Sequence, residues 1–303
     1  MTCLCSWLRI ATSLLAASQA IAMRHSRMKR ASVTRVSQSQ MDSLTPVAHY
    51  ASASYCAPSS TLAWDCTDCQ ANPSFHPIAA GGNSFTVQYW FVGYDPSLES
   101  VVVSVQGTKP SAIIPLLTDG DIELANLDPT LFPGLDSSIQ AHQGFADAHS
   151  SSAADILAAV QQGLNQYSTS KILLTGHSLG AAITLLHSIY IPLHIPGAQV
   201  TYVGFGLPRV GDQAFADYVD AHAAIAFVTH VSNKEDWIPI VPGRMLGFHH
   251  PSGEIHIQDS GEWMACPGQD NTDARCTVGD VRNLLLGSLD YHDGPYNGVH
   301  MGC

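Results

Sequence analysis

Charge is scarce in this 303-residue chain: 13% of its residues are Asp, Glu, Lys or Arg, with 13 cations against 25 acids. Five of the cations and none of the acids precede residue 31, which leaves eight cations against 25 acids, a net −17, in the remainder. Such a surface repels polyanions, which argues against nucleic acid or an anionic membrane as a partner and suits a neutral substrate. No Asn-x-Ser/Thr acceptor occurs, since Asn72-Pro73-Ser74 carries the excluded proline. Past the N-terminal segment no apolar run is long enough to cross a bilayer, so no integral membrane segment is expected. Internal repeats and blocks of like charge are also missing.

What is present starts with an address. A lone cation, Arg9, precedes an apolar run over residues 10–17 and then Ala20-Ile21-Ala22, the pattern of a signal peptide over 1–22 with a small-residue cleavage site. The basic stretch 24–30 ends in Lys29-Arg30, which reads as a dibasic processing site, the other reading being a merely basic tail. Residues 31–48 are rich in Ser, Gln and Val without a helical stripe and read as a loosely held leader. The expected organisation is therefore a pro-segment over 23–48 and one domain over 49–303, secreted. Hydrophobic residues make up 46% of the chain, enough for a large single core.

In a secreted chain the six cysteines after the signal, Cys56, Cys66, Cys69, Cys266, Cys276 and Cys303, predict three disulfides. The Cys66-Thr67-Asp68-Cys69 spacing could also serve redox chemistry or a metal. The first needs a thioredoxin-like unit and the second another ligand pair, and the sequence supplies neither.

The most informative stretch is Ile172-Leu173-Leu174-Thr175-Gly176-His177-Ser178-Leu179-Gly180-Ala181-Ala182. An apolar, strand-like run enters a Gly-x-Ser-x-Gly turn and leaves into an alanine-rich helix predicted to reach about residue 191: a nucleophile elbow, with Ser178 at its apex. The helix N-terminus would aim unpaired N–H groups at developing negative charge. Further strands are predicted at 85–94, 101–105, 200–205 and 226–231, and helix over 145–167, which together imply an α/β fold with a largely parallel sheet covered on both faces.

A serine hydroxyl needs a histidine base, and that base needs a carboxylate to fix its tautomer. On this kind of sheet the order along the chain is Ser, Asp, His. Asp236 follows the 226–231 strand, with Glu235 as competitor. Of 15 histidines, His292 lies in a polar, glycine-containing segment suited to a loop returning over the sheet, with His300 and His256 as alternatives. His249, His250 and His256 have no established metal-ligand pattern, so no metal is expected. His177, beside the serine, reads as structural because an elbow turns adjacent side chains apart, and Arg209 reads as a buried anchor.

These segments together resemble the class 3 lipases of filamentous fungi, a family that includes the type-A feruloyl esterases. The resemblance covers residues 50–303. It is carried by Tyr55-Cys56 with Trp64, Cys66 and Cys69; Val105-Gln106-Gly107-Thr108; His142-Gln143-Gly144-Phe145; the elbow; Phe205-Gly206-Leu207-Pro208-Arg209-Val210-Gly211; and residues 233–239 with Gly247-Phe248-His249-His250. It implies an α/β-hydrolase fold and a Ser178–Asp236–His292 triad. It also implies an oxyanion hole from Thr108 and the Leu179 N–H, and disulfides Cys56–Cys303, Cys66–Cys69 and Cys266–Cys276. The implied activity is hydrolysis of acylglycerols through an acyl-enzyme, without a cofactor, by a monomer at a lipid–water interface.

The alternatives are a feruloyl or other soluble-ester esterase, and, further off, a phospholipase or an inactive binding protein. Three departures from the family bear on substrate fit: Gln106 and Pro110 where Arg and Ser are common, Tyr291 between Asp290 and His292, and the bulk of Trp237. The segment that would cover the serine, 109–119, holds Ile113, Ile114, Leu116 and Leu117, an oily lid rather than a polar flap. The other reading is that these aliphatics complete the core.

Overall fold

The computed structural model describes residues 32–108, 122–222 and 224–303. Residues 1–22, read above as a signal peptide, and the candidate lid residues Ile113, Ile114, Leu116 and Leu117 lie outside them. The strands are β1 (Thr34–Arg35), β2 (His76–Gly81), β3 (Trp90–Asp95), β4 (Ser100–Val105), β5 (Leu124–Asn126), β6 (Gln140–His142), β7 (Lys171–His177), β8 (Gln199–Phe205), β9 (Gly211–Asp212), β10 (Ile225–Asn233), β11 (Phe248–His249), β12 (Glu254–Ile257) and β13 (Trp263–Cys266).

Among the described residues, nine of these form a central sheet in the order β1-β13-β12-β10-β8-β7-β4-β3-β2. Its middle, from β4 through β7, β8 and β10 to β12, is parallel. The β3–β4, β2–β3, β12–β13 and β1–β13 pairs at the two margins are antiparallel. The expected parallel sheet is thus the sheet's centre, and the strand predicted from 85 begins at Trp90. A small second sheet, β11-β9-β6-β5, was not anticipated, because its two- and three-residue strands are too short for a period-2 pattern.

The valine run of β4 shows why the sheet is covered on both sides. Val101, Val103 and Val105 point into one hydrophobic cluster and Val102 into the other, as alternation along a strand requires. The first cluster lies under the helices predicted over 145–167, which are two, and under the helix after the elbow, buried at every residue from Leu179 to Ile191. In chain order the helices that matter are α1 (Gln38–Ala53), α2 (Pro58–Ala63), α3 (Gln143–Ser150), α4 (Ala153–Tyr167) and α5 (Leu179–His194).

Residues 34–48 are not a loose leader. The compact unit runs Val33–Cys303, β1 pairs with β13, and α1 buries Val47, Ala48, Tyr50 and Ala51 against the second cluster. A capping box starts α1: the Ser37 hydroxyl accepts from the Gln40 N–H while the Gln40 side chain accepts from the Ser37 N–H. No helical stripe marks this helix in the sequence because its first two turns are polar and exposed except at Met41, and its fully buried residues begin only at Val47. The C-terminus returns to α1, where the Ser52 hydroxyl lies within hydrogen-bond distance of the His300 and Gly302 carbonyls and Cys303 is bonded to Cys56. The other bonds are Cys66–Cys69 and Cys266–Cys276.

Candidate active site

Ser178 sits between β7 and α5 at φ 58, ψ −126, a conformation that L-residues rarely adopt. The turn is tight enough that a Cβ on Gly176 would stand 2.6 Å from the Gly180 backbone, and one on Gly180 2.0 Å from the Val105 carbonyl. Both positions therefore require glycine. The Ser178 carbonyl accepts the first intrahelical bond, from Ala182, so the Leu179 N–H opens the helix at the serine, where the helix dipole favours an anion.

Gly107 closes on the serine from β4: a Cβ there would lie 3.1 Å from Ser178 Cβ. Thr108, half-buried, follows it. Gln106 continues the β3–β4 ladder, its backbone N–H donating to the Tyr89 carbonyl and its side-chain oxygen accepting from the Tyr89 N–H. A strand extension therefore fills the position where the family commonly has arginine.

Asp236 and His292 are both fully buried, with Nδ1 of the imidazole 2.8 Å from Oδ2 of the carboxylate. The other carboxylate oxygen accepts from the Ile238 N–H. This arrangement orients the ring with Nε2 facing away from the acid. The His292 Nε2 and Ser178 Oγ atoms are both buried and have no hydrogen-bond partner among the described residues. Such pairs are commonly long in a resting enzyme and tighten around substrate. The segment carrying His292 is held to the one carrying Asp236: the Asn233 side chain donates to the Tyr291 carbonyl and the Ser288 N–H to the Glu235 carbonyl. The closeness forces glycine at 287, where a Cβ would meet the Glu235 carbonyl and Trp237 Cβ at 2.7 Å.

The alternatives are engaged elsewhere. Burial and Asp259 push the Glu235 carboxyl up in pKa. His256 contacts Asp280 through Nε2 and Ser232 and Thr277 through Nδ1, and His300 is exposed. His249 faces Asp270 and His250 the Pro239 carbonyl, so these rings do not converge with His256. Arg209 is buried against Asp270 and the Ile240 and Pro242 carbonyls, a structural anchor.

His177, expected from the sequence to be structural, engages both of its ring nitrogens. Its Nδ1 stands 2.7 Å from the Tyr55 hydroxyl and its Nε2 2.9 Å from the His292 carbonyl, so a neutral ring accepts from the first and donates to the second. Burial, and then the neighbouring His292, hold its pKa well below the usual range, consistent with that neutral form. The Tyr296 hydroxyl donates to the same carbonyl, and the Tyr55 hydroxyl accepts from the Gly107 N–H. One chain of hydrogen bonds thus joins the Gly107 loop, the elbow and the backbone of His292. Tyr55 enters the sequence reading only as part of the family pattern, with no sign of its hydroxyl's partners, and Tyr296 stands in no spacing that marks it.

A serine on an elbow, a carboxylate-oriented histidine and N–H groups at a helix start can together attack an ester. The sequence pattern of the class 3 lipases matches residues 102–246. A secreted mono- and diacylglycerol lipase of Malassezia globosa is 33% identical over 213 residues, 69% of this chain and 68% of its own length. The chain belongs to the class 3 lipase family. Another secreted mono- and diacylglycerol lipase, of Gibberella zeae, is 31% identical over 231 residues, 74% of this chain and 70% of its own. Among solved structures, the triacylglyceride lipase of Rhizomucor miehei superposes with a TM-score of 0.76 at 24% identity, covering 89% of this chain and 98% of that one. A lipase of Yarrowia lipolytica gives 0.74 at 22%, covering 90% and 98%. The fold is therefore that of the α/β hydrolases. As a class 3 lipase the protein is a carboxylic ester hydrolase, and it is secreted, as its relatives are named.

Proposed function

We propose that this lipase hydrolyses acylglycerols through an acyl-enzyme on Ser178. His292 takes the hydroxyl proton and passes it to the leaving alcohol, while Asp236 holds the imidazole tautomer and stabilises the imidazolium. The Leu179 N–H and Thr108 face the oxyanion. Water then attacks the acyl-enzyme, with His292 as base, and frees the fatty acid. The observation that carries the reading is the buried 2.8 Å His292–Asp236 contact beside a serine at positive φ.

Partial glycerides are the first substrates to test, because the relatives above 30% identity are named for mono- and diacylglycerols. Trp237, half-buried directly after Asp236, adds bulk near the acyl chain. The enzyme acts as a monomer at the lipid–water interface, where the aliphatic run around Ile113, Ile114, Leu116 and Leu117 gains an apolar environment. Parallel hydrolysis of diolein, triolein, phosphatidylcholine and methyl ferulate is the test, with Ser178→Ala as blank. Turnover of diolein is expected to lead, and turnover of methyl ferulate alone would replace this reading with the esterase.

A further inference from the structure

A cavity of about 820 Å³ opens between residues 240–246, which follow the Asp236 loop, and residues 278–284, which precede the His292 loop. The volume is that of a small-molecule site. Its walls are aliphatic, with Ile240, Val241, Val278 and Val281, and neither Ser178, Asp236 nor His292 lines it. The rim is also apolar and lies in water: Met245 is 95% exposed, Leu246 52% and Leu284 42%, with Leu285 and Leu286 exposed just beyond. Monomeric soluble proteins rarely leave so many large apolar groups together without a use for them.

The charge lining this cavity runs against the rest of the molecule. Although the chain carries 25 acids, none of the described carboxylates lines it, whereas Arg209, Arg244 and Arg282 do. Arg209 is neutralised by Asp270. Arg35, Lys171, Lys234 and Arg275 each have a carboxylate partner elsewhere. Among the described residues, Arg244 and Arg282 are the cations with none. Two guanidinium groups with no described carboxylate partner, over an aliphatic trough, are complementary to an anionic head on an alkyl tail.

We propose that this cavity binds a long-chain fatty acid, its carboxylate between Arg244 and Arg282 and its tail along Ile240, Val241 and Val281. The ligand class comes from the acylglycerol reading, whose product it is. None of the three triad residues lines the site, so product would be held by the enzyme outside the place where it is made.

The test uses the full-length secreted enzyme with Ser178 capped by a long-chain alkylphosphonate, which fills the acyl site. Capping, followed by mass, checks the acyl-enzyme reading separately from the binding result. Capped enzyme is titrated with oleate below its aggregation concentration, and with oleyl alcohol as a neutral probe. Saturable binding of about one oleate is expected, weakened tenfold or more in Arg244→Gln/Arg282→Gln, with oleyl alcohol changed less than threefold and the variant's melting curve confirming its fold. Loss of oleate binding on capping would assign the cavity to the acyl site and overturn the proposal. So would an unchanged oleate affinity in the double variant, or binding to fatty-acid-containing vesicles without binding to monomeric oleate, which would mark a surface for lipid docking instead.

Discussion

His149 on α3 and His187 on α5 are buried with ring centroids 4.3 Å apart, enclosed by Phe132 and Tyr190, and none of their four ring nitrogens has a hydrogen-bond partner among the described residues. Burial lowers the His149 pKa to about 3, and burial together with His149 holds His187 well below its usual value. Because the folded-state pKa lies below the unfolded one, the unfolded chain takes up protons first as pH falls. Stability is therefore complete above about pH 6.5 and declines from there toward pH 3. At about pH 4.5 the gap of roughly two pH units costs about 3 kcal/mol for His149 alone, at about 1.4 kcal/mol per unit. That is a large share of a typical stability of about 5–15 kcal/mol. The perturbation is His149→Leu, which keeps the site filled and removes two unpartnered nitrogens, a change neutral or stabilising at pH 7. Urea unfolding at pH 7 and at pH 4.5, disulfides intact, should show the variant gaining about 3 kcal/mol on the wild type at the lower pH. Parallel pH–stability curves for the two proteins would refute the reasoning, since they would mean that His149 already titrates in the native state.

Ser178→Ala and His292→Ala should each lower kcat by about four to six orders of magnitude, and the double variant little further, because the two act as one device; substantial activity in His292→Ala would move the base elsewhere. Tyr55→Phe removes the hydroxyl that fixes the His177 tautomer and accepts from Gly107. It should lower kcat on a soluble ester about tenfold, roughly 1.4 kcal/mol, with KM little changed, and an unchanged kcat would strip that hydrogen-bond chain of a catalytic role. Cys56→Ser/Cys303→Ser opens a loop of sequence separation 247 and should cost up to about 5 kcal/mol in chain-entropy terms, against much less for Cys66→Ser/Cys69→Ser; equal losses in chemical unfolding would contradict that ranking.

The parts of the fold legible in the sequence were those with a strong local pattern. The run 101–105 and the elbow carry continuous apolar residues between turn signals, and they became β4, β7 and α5. The turn at Ser178 was legible for the same reason, since a sharp turn needs glycine at fixed offsets. Long-range partnership was harder to read. Asp236 and His292 come together from loops 56 positions apart, and position along the chain could rank His292 above His256 but not exclude it; a family resemblance carried that step. Polar α1 hid behind exposed serines and glutamines, with its buried face confined to its second half. The second sheet is built from strands too short for periodicity. Tyr55 and Tyr296 act through single hydroxyls whose partners exist only in the folded chain, and the cavity beside Arg244 and Arg282 is assembled from two distant turns.

The most direct test of the account is labelling of the wild-type enzyme with a p-nitrophenyl alkylphosphonate, followed by peptide mapping. The account predicts one phosphonate per chain, on Ser178, with no label in Ser178→Ala and labelling of His292→Ala slowed by orders of magnitude. A stoichiometric label on any other residue, or full-speed labelling without His292, would contradict it.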